Sequence, residues 1–297
     1  MNKSETPTPP SDAELGFAPD EDAPIPYMKR TRDWYLALGY GNPYRWAHYV
    51  EVPFTPLAQP LAQTTVALIS TASPYDPTKG EQGVGAPYNA EAKFYKVYSG
   101  DSAIDHDVRV SHVAIDRKHT TMEDRNTWFP LPALRAAVAK GRIGRLAKHF
   151  FGVPTNRSQR HTLEVDCPEV LRRCKEDGVQ AVVLVPNCPV CHQTLSLVAR
   201  YLEAAGISTV LPLGNAAGKP KDPASQAATL ELALRTLESA PAARTTVQSP
   251  QRWSESHAWK RDYSNVECVN PEELTRLRAA NDRAKEAAKA LRDNQLT

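Results

Sequence analysis

The sequence predicts an α/β fold: a parallel-sheet βαβ core with helices on both faces, an N-terminal aromatic arm and a C-terminal helix. Three observations carry this. First, 181–185 reads Ala-Val-Val-Leu-Val, an apolar run of strand length between two helical stretches, 169–177 and 192–205. Second, Gly206 closes the latter helix and Ile207-Ser-Thr-Val-Leu211 follows as a strand, so the order is helix, strand, helix, strand. That alternation implies parallel strands joined by right-handed crossovers. Third, Leu195, Val198 and Leu202 recur at three-to-four spacing, which gives the helix one apolar face to lay on a sheet.

The other elements follow in chain order. Residues 1–60 hold ten of the 25 prolines, and composition predicts a disordered tail over 1–20. An arm over 21–60 comes next, where Trp34, Tyr35, Tyr40, Tyr44, Trp46, Tyr49 and Phe54 crowd between Gly and Pro. It reads as packed on the main body, with a pocket wall or dimer contact as the alternative. An α/β catalytic domain over 61–250 opens with a strand at 65–70. The alternation of 108–112 predicts another strand, and Pro130, Pro132 and Gly141 bracket a helix over 131–140. Helices are predicted over 226–238 and 271–292. The latter lies in a C-terminal helical tail, 251–297, and is a candidate homodimer element.

Composition excludes several classes of function. Thirty-six basic residues against 34 acidic leave a formal charge of +2, so no global field draws nucleic acid or a membrane surface. The basic cluster Arg142, Arg145, Lys148 reads as a solvated helix face. No apolar run approaches the ~20 residues of a membrane helix, and the polar N-terminus lacks a secretory apolar stretch, so a cytoplasmic location is expected. Five cysteines without an export signal argue against a disulfide framework.

Two of those cysteines stand three apart, in Pro186-Asn-Cys188-Pro-Val-Cys191-His192, where the predicted strand gives way to the predicted helix. The carboxyl edge of a parallel sheet is where ligands bind. A helix N-terminus stabilises a thiolate, so Cys188 is expected to have a lowered pKa, and Cys191 can tune it or resolve a mixed disulfide. His192 is a candidate assistant. Rival readings are a zinc site completed by Cys167 and Cys174, haem c attachment at Cys-Pro-Val-Cys-His, and two inert thiols. Cys167, Cys174 and Cys268 are expected to be buried in helix or tail packing.

Softer candidates lie nearby. Ser111, His112, His119, Asp124 and Asn126 fall in the loop after the 108–112 strand, with His112 and His119 as acid–base candidates and Asp124 and Asn126 as substrate contacts. His106, His112 and His119 with Asp116 or Asp124 could also hold a metal. Ser73 and Tyr75, at the end of the first strand, are candidate anion or substrate contacts. No cofactor and no metal ion is assigned.

Several segments together resemble the component B family of the glycine, sarcosine, betaine and D-proline reductases, the selenoprotein B family. They are Val66-Ala-Leu-Ile-Ser-Thr-Ala72, Asn126-Thr-Trp-Phe-Pro-Leu131, Gly141-Arg-Ile-Gly144, the stretch 185–210 and Trp259-Lys-Arg-Asp-Tyr-Ser264. The resemblance places Cys188 at the selenocysteine position and Cys191 at its partner, and implies a nucleophile attacking a substrate activated on a pyruvoyl-bearing partner subunit. The chain departs from the family in having sulfur for selenium, and Ser102-Ala-Ile-Asp105 where Arg is usual. Cysteine-bearing relatives include enzymes that remove sulfur from thiohydantoin rings in ergothioneine breakdown. The expectation drawn is a cysteine-dependent desulfhydrase of sulfur metabolism: Cys188 attacks the thiocarbonyl of a small nitrogenous acid, hydrosulfide leaves, and water completes the hydrolysis. The alternatives are a dithiol reductase component acting with partner redox subunits, and a metal-binding or redox-sensing module without turnover.

Overall fold

The computed structural model describes residues 23–42, 45–83, 89–110, 112, 118–155, 158–213 and 217–296. The predicted tail 1–20, Tyr44, Ser111 and Asp116 lie outside the described residues. Strands β1 (Thr65–Ser70), β5 (Arg145–Leu146), β6 (His149–Gly152), β7 (Ala181–Val185) and β8 (Ser208–Val210) run parallel. β3 (Tyr98–Asp101) adds an antiparallel edge, and the order is β3-β6-β1-β7-β8 with β5 beside β1. At the centre, β1 and β7 pair from Val66↔Ala181 to Ser70↔Val185, and every residue of both strands is buried.

Full burial follows from helices on both faces, because successive strand residues point to opposite sides. Val66, Leu68, Ala181 and Val183 face helix α2 (Leu131–Ala139) and helix α5 (Pro223–Ser239), packing with Leu131, Leu134, Leu230 and Leu234. Ala67, Ile69, Val182 and Leu184 face helix α3 (Cys167–Glu176) and helix α4 (Pro189–Glu203), packing with Val170, Cys174, Leu195, Val198 and Leu202. The expected apolar face of α4 is therefore the one that meets the sheet, and truncating fully buried Leu195 to Ala would cost about 2–5 kcal/mol. Gly206 ends that segment at φ 86°, a left-handed conformation that favours glycine.

Two readings are corrected. Among the described residues, the strand expected over 108–112 is β4 (Val108–Arg109), which pairs antiparallel with β2 (Ser73–Pro74) in a separate two-stranded ribbon. Arg142, Arg145 and Lys148 are not a helix face. Arg142 is in a turn, bonded to Glu231 at 2.9 Å and Glu238 at 2.7 Å, Arg145 is in β5, and Lys148 sits between β5 and β6. A turn, a short strand and a connecting residue with a basic side chain at every third place mimic helical spacing.

The arm segments pack along the cysteine-bearing helix. The ring of Tyr27, in helix α1 (Tyr27–Ala37), stands edge-on to His192 with centroids 5.0 Å apart. The Ala47 N–H donates to Gln193 Oε1 at 2.7 Å, Arg200 lies 4.1 Å over Tyr49, and Thr55 Oγ1 donates to the Glu203 carbonyl at 2.7 Å. Helix α6 (Trp259–Asp262) leads to helix α7 (Pro271–Leu296). α7 is tied to the arm by Tyr40 Oη to Asp282 at 3.0 Å and by Arg278 Nη1 to the Leu38 carbonyl at 2.6 Å. No helix among the described residues is long and apolar enough to cross a membrane.

Candidate active site: a thiol pair at the carboxyl edge

Three neighbouring parallel strands deliver their following loops to one place. After β7, Pro186 and Asn187 lead to Cys188. After β1 comes Thr71, whose Oγ1 accepts the Asn187 N–H at 3.1 Å. After β6 comes Thr155, whose hydroxyl lies 3.2 Å from Cys191 Sγ. Because β1 lies between β6 and β7, the chain passes over it to go from one to the other, and such a switch point opens a crevice at the strands' carboxyl ends.

Cys188 is the N-cap of α4. Its backbone is extended, at φ −157° and ψ 169°, and its Sγ accepts the Cys191 N–H at 3.3 Å. One turn on, Cys191 presents its own sulfur 2.8 Å from that of Cys188, and both are free thiols. Cys188 is 7% exposed and Cys191 fully buried. Two sulfurs so close in a dry site cannot both ionise, so the pair shares one proton and titrates as a unit.

The expected lowering of the Cys188 pKa is corrected: it is raised. Burial, then the hydrogen bond and charge of Cys191, push the Cys188 thiol well above its ordinary value; the N–H groups of Cys191 and Val190 act the other way and are outweighed. Burial opposes ionisation of Cys191 as well, yet the hydrogen bond from Cys188, the charge and hydrogen bond of His112, and the Thr155 hydroxyl hold it well below the usual range. His112 and Thr155 thus favour a thiolate on the inner sulfur over one on the outer.

His112 is the predicted histidine that joins the thiols. It is buried, and one ring nitrogen and the two sulfurs lie within 4.8 Å of one another. Two thiolates and an imidazole are the donor set of a soft metal site. A tetrahedral zinc, however, holds its sulfurs about 3.8 Å apart, from Zn–S bonds of about 2.3 Å. The observed separation of 2.8 Å is shorter than that. Cys167 and Cys174, once candidates to complete a zinc site, sit in the α3 face packed on the sheet.

The remaining candidates are held in other ways. His192, expected to assist, is buried against Tyr27 with neither ring nitrogen hydrogen-bonded among the described residues. Burial brings its pKa down to about 4, so the ring is neutral at pH 7. His119 Nε2 is paired with Asp262 at 2.8 Å and leans on Trp259, which assigns it to the C-terminal segment. Asp124 caps the turn Arg125–Thr127, accepting the Asn126 N–H at 3.0 Å, and also accepts from Lys221 N and Gln226 Nε2, each at 2.7 Å. Ser73 is buried in the ribbon and Tyr75 is exposed beneath the Arg109 guanidinium at 4.5 Å. Cys268, expected to be buried, is exposed. Thr71, Thr155 and Asn187 are additions. Recognising 149–152 as a strand would have marked Thr155 as a carboxyl-edge residue.

The chain is 27% identical over 222 residues to D-proline reductase subunit gamma of Acetoanaerobium sticklandii, a match covering 67% of this chain and 89% of that protein. It is 25% identical over 170 residues to sarcosine reductase complex component B subunit beta of Peptoclostridium acidaminophilum, covering 54% of this chain and 38% of that protein. No family model and no solved structure matches it.

Proposed function

We propose that this chain, which is similar to subunits of D-proline reductase and of sarcosine reductase component B, is the thiol-bearing component of a dithiol reductase acting on a small nitrogenous carboxylic acid with partner subunits. The observation that carries this reading is the pair of sulfurs 2.8 Å apart at the sheet's carboxyl edge. A substrate carbon bearing a heteroatom, activated on a partner, meets the outer sulfur first. Cys188 passes its proton to the Cys191 thiolate and attacks. The S–C bond forms as the carbon–heteroatom bond breaks, and the heteroatom leaves with the electron pair and takes a proton from solvent. Cys191 then gives up that proton to solvent, its thiolate held again by the charge of His112, and its sulfur attacks Cys188. The S–C bond breaks, the carbon leaves with its pair and is protonated, and the thiols end as a disulfide. Two electrons have moved to the substrate, and an external dithiol resets the pair.

Hydrolytic desulfuration of a thiohydantoin, the outcome expected from the cysteine-bearing relatives, needs one nucleophile and a water. It draws no support from the relatives found, whose names are those of reductases. One assay separates the two. Pure protein is incubated with a thiohydantoin acid, and separately with sarcosine or D-proline plus the partner subunits, in limiting dithiol. One dithiol oxidised per turnover, and turnover only with partners, is the expected result. Many sulfides released per dithiol by the protein alone would replace this reading with the hydrolytic one.

A further inference from the structure

The residue before the first thiol carries a buried polar side chain that the site leaves unmet. Asn187 is 6% exposed, and both ends of its side-chain amide, Oδ1 and Nδ2, lack a hydrogen-bond partner among the described residues. Its backbone is fixed, because the Asn187 N–H bonds Thr71 and the next residue caps α4. A carboxamide that gives up its water and regains no partner destabilises a fold, and such groups are rare enough in native proteins that each calls for a role. Leucine has nearly the same size and leaves nothing unmet, so packing alone does not account for an amide here.

We infer that Asn187 is a substrate-positioning residue, whose amide receives a neutral group carrying both an acceptor and an N–H donor, such as a carboxamide, one or two bonds from the atom that Cys188 attacks. Both halves of the amide are unmet, so the complementary group offers both halves in return. Neutrality follows from the surroundings. The charge of His112 is already matched by the Cys191 thiolate, and no Lys or Arg is among the buried residues described, so a carboxylate bound there would have no cation left to pair with. The inference rests on Cys188 being the attacking sulfur of the proposed function, but not on the redox cycle.

The test uses the full-length reduced protein and three small probes, with modification of Cys188 followed by mass spectrometry. Iodoacetamide carries the carboxamide, iodoacetate a carboxylate, and methyl methanethiosulfonate neither. In Asn187→Leu, the iodoacetamide rate should fall about 10-fold, the equivalent of one lost buried hydrogen bond. The methanethiosulfonate rate should stay within about 2-fold, and the melting temperature should rise by a few degrees because the unmet amide is gone. Asn187→Asp should lose the iodoacetamide preference as well. Parallel changes with all probes, or a lower melting temperature in Asn187→Leu, would show that the amide is structural and overturn the inference. A larger loss for iodoacetate than for iodoacetamide would overturn the neutral-group assignment. Failure of any probe to modify Cys188 in the unaltered protein would instead defeat the nucleophile assignment of the proposed function.

Discussion

Two regions of this molecule bury a pair of cysteines, and they show how little burial alone says about a thiol. In α3, Cys167 and Cys174 lie against the sheet among Val170, Leu195 and Val198. Burial, with a smaller contribution from the charges of Asp166 and Asp177 respectively, pushes each up to about 12. At the start of α4, Cys188 and Cys191 are as deeply placed, yet one of them is held well below the ordinary value. Partners make the difference. A second sulfur, His112 and the Thr155 hydroxyl surround Cys191, whereas apolar side chains surround Cys174. The cost of burial is common to both regions; compensation for it exists in one.

The comparison can be broken most directly at the pair itself. Cys188→Ser and Cys191→Ser should each lower turnover by about 1,000-fold or more, because a two-sulfur cycle cannot close with one sulfur. Turnover assayed with partner subunits checks this, and a Cys191→Ser protein that keeps a tenth of the activity would turn the reading toward a single nucleophile. Next in size is His112→Ala. Removing its charge and hydrogen bond should raise the apparent pKa of the pair, so that alkylation at pH 7 slows by about 10–100-fold and recovers as pH rises. A rate–pH profile that does not shift would take His112 out of the site.

The inert region gives a stability test whose sign is fixed. Cys167 and Cys174 have raised folded pKa values, so the folded state keeps protons that the unfolded state loses above pH ~8.5. Their contribution is fully present below that pH and disappears as pH rises toward about 12, the loss reaching about 2 kcal/mol per thiol at pH 10. Thermal melts from pH 7 to 10 should therefore fall less steeply in Cys167→Ala and Cys174→Ala than in the parent. Both thiols should also resist alkylation until the protein unfolds, while exposed Cys268 reacts at once. The smallest effect is expected at His192. A neutral ring against Tyr27 is replaceable by another ring, so His192→Phe should change activity by no more than about 3-fold. A loss beyond 10-fold would return it to the catalytic set.

Much of the fold was legible because its centre is locally encoded. The runs at 65–70 and 181–185, the three-to-four spacing of Leu195, Val198 and Leu202, and Gly206 each report a preference of the backbone where they stand. The short strands β5, β6 and β3 carry no such signature, since two to four residues cannot display a period. β4 was read too long, and its place in a separate ribbon was not legible, for a related reason: alternation reports a strand but not its partner.

By itself the sequence determined the parallel core, the helix that follows β7, and the placement of Cys188 and Cys191 one turn apart at its start. Those depend on neighbours within a few residues. Only the tertiary structure decided which sulfur holds the thiolate. Thr155 arrives from β6, 36 residues away, and His112 from a loop beyond the β2–β4 ribbon, and proton affinity in a buried site is set by whatever charges and donors lie within a few ångströms, however distant in the chain. The same physics separated His112 from His119 and His192. All three are histidines near plausible loops, and contact geometry put one against the thiols, one on Asp262 and one beneath an aromatic ring.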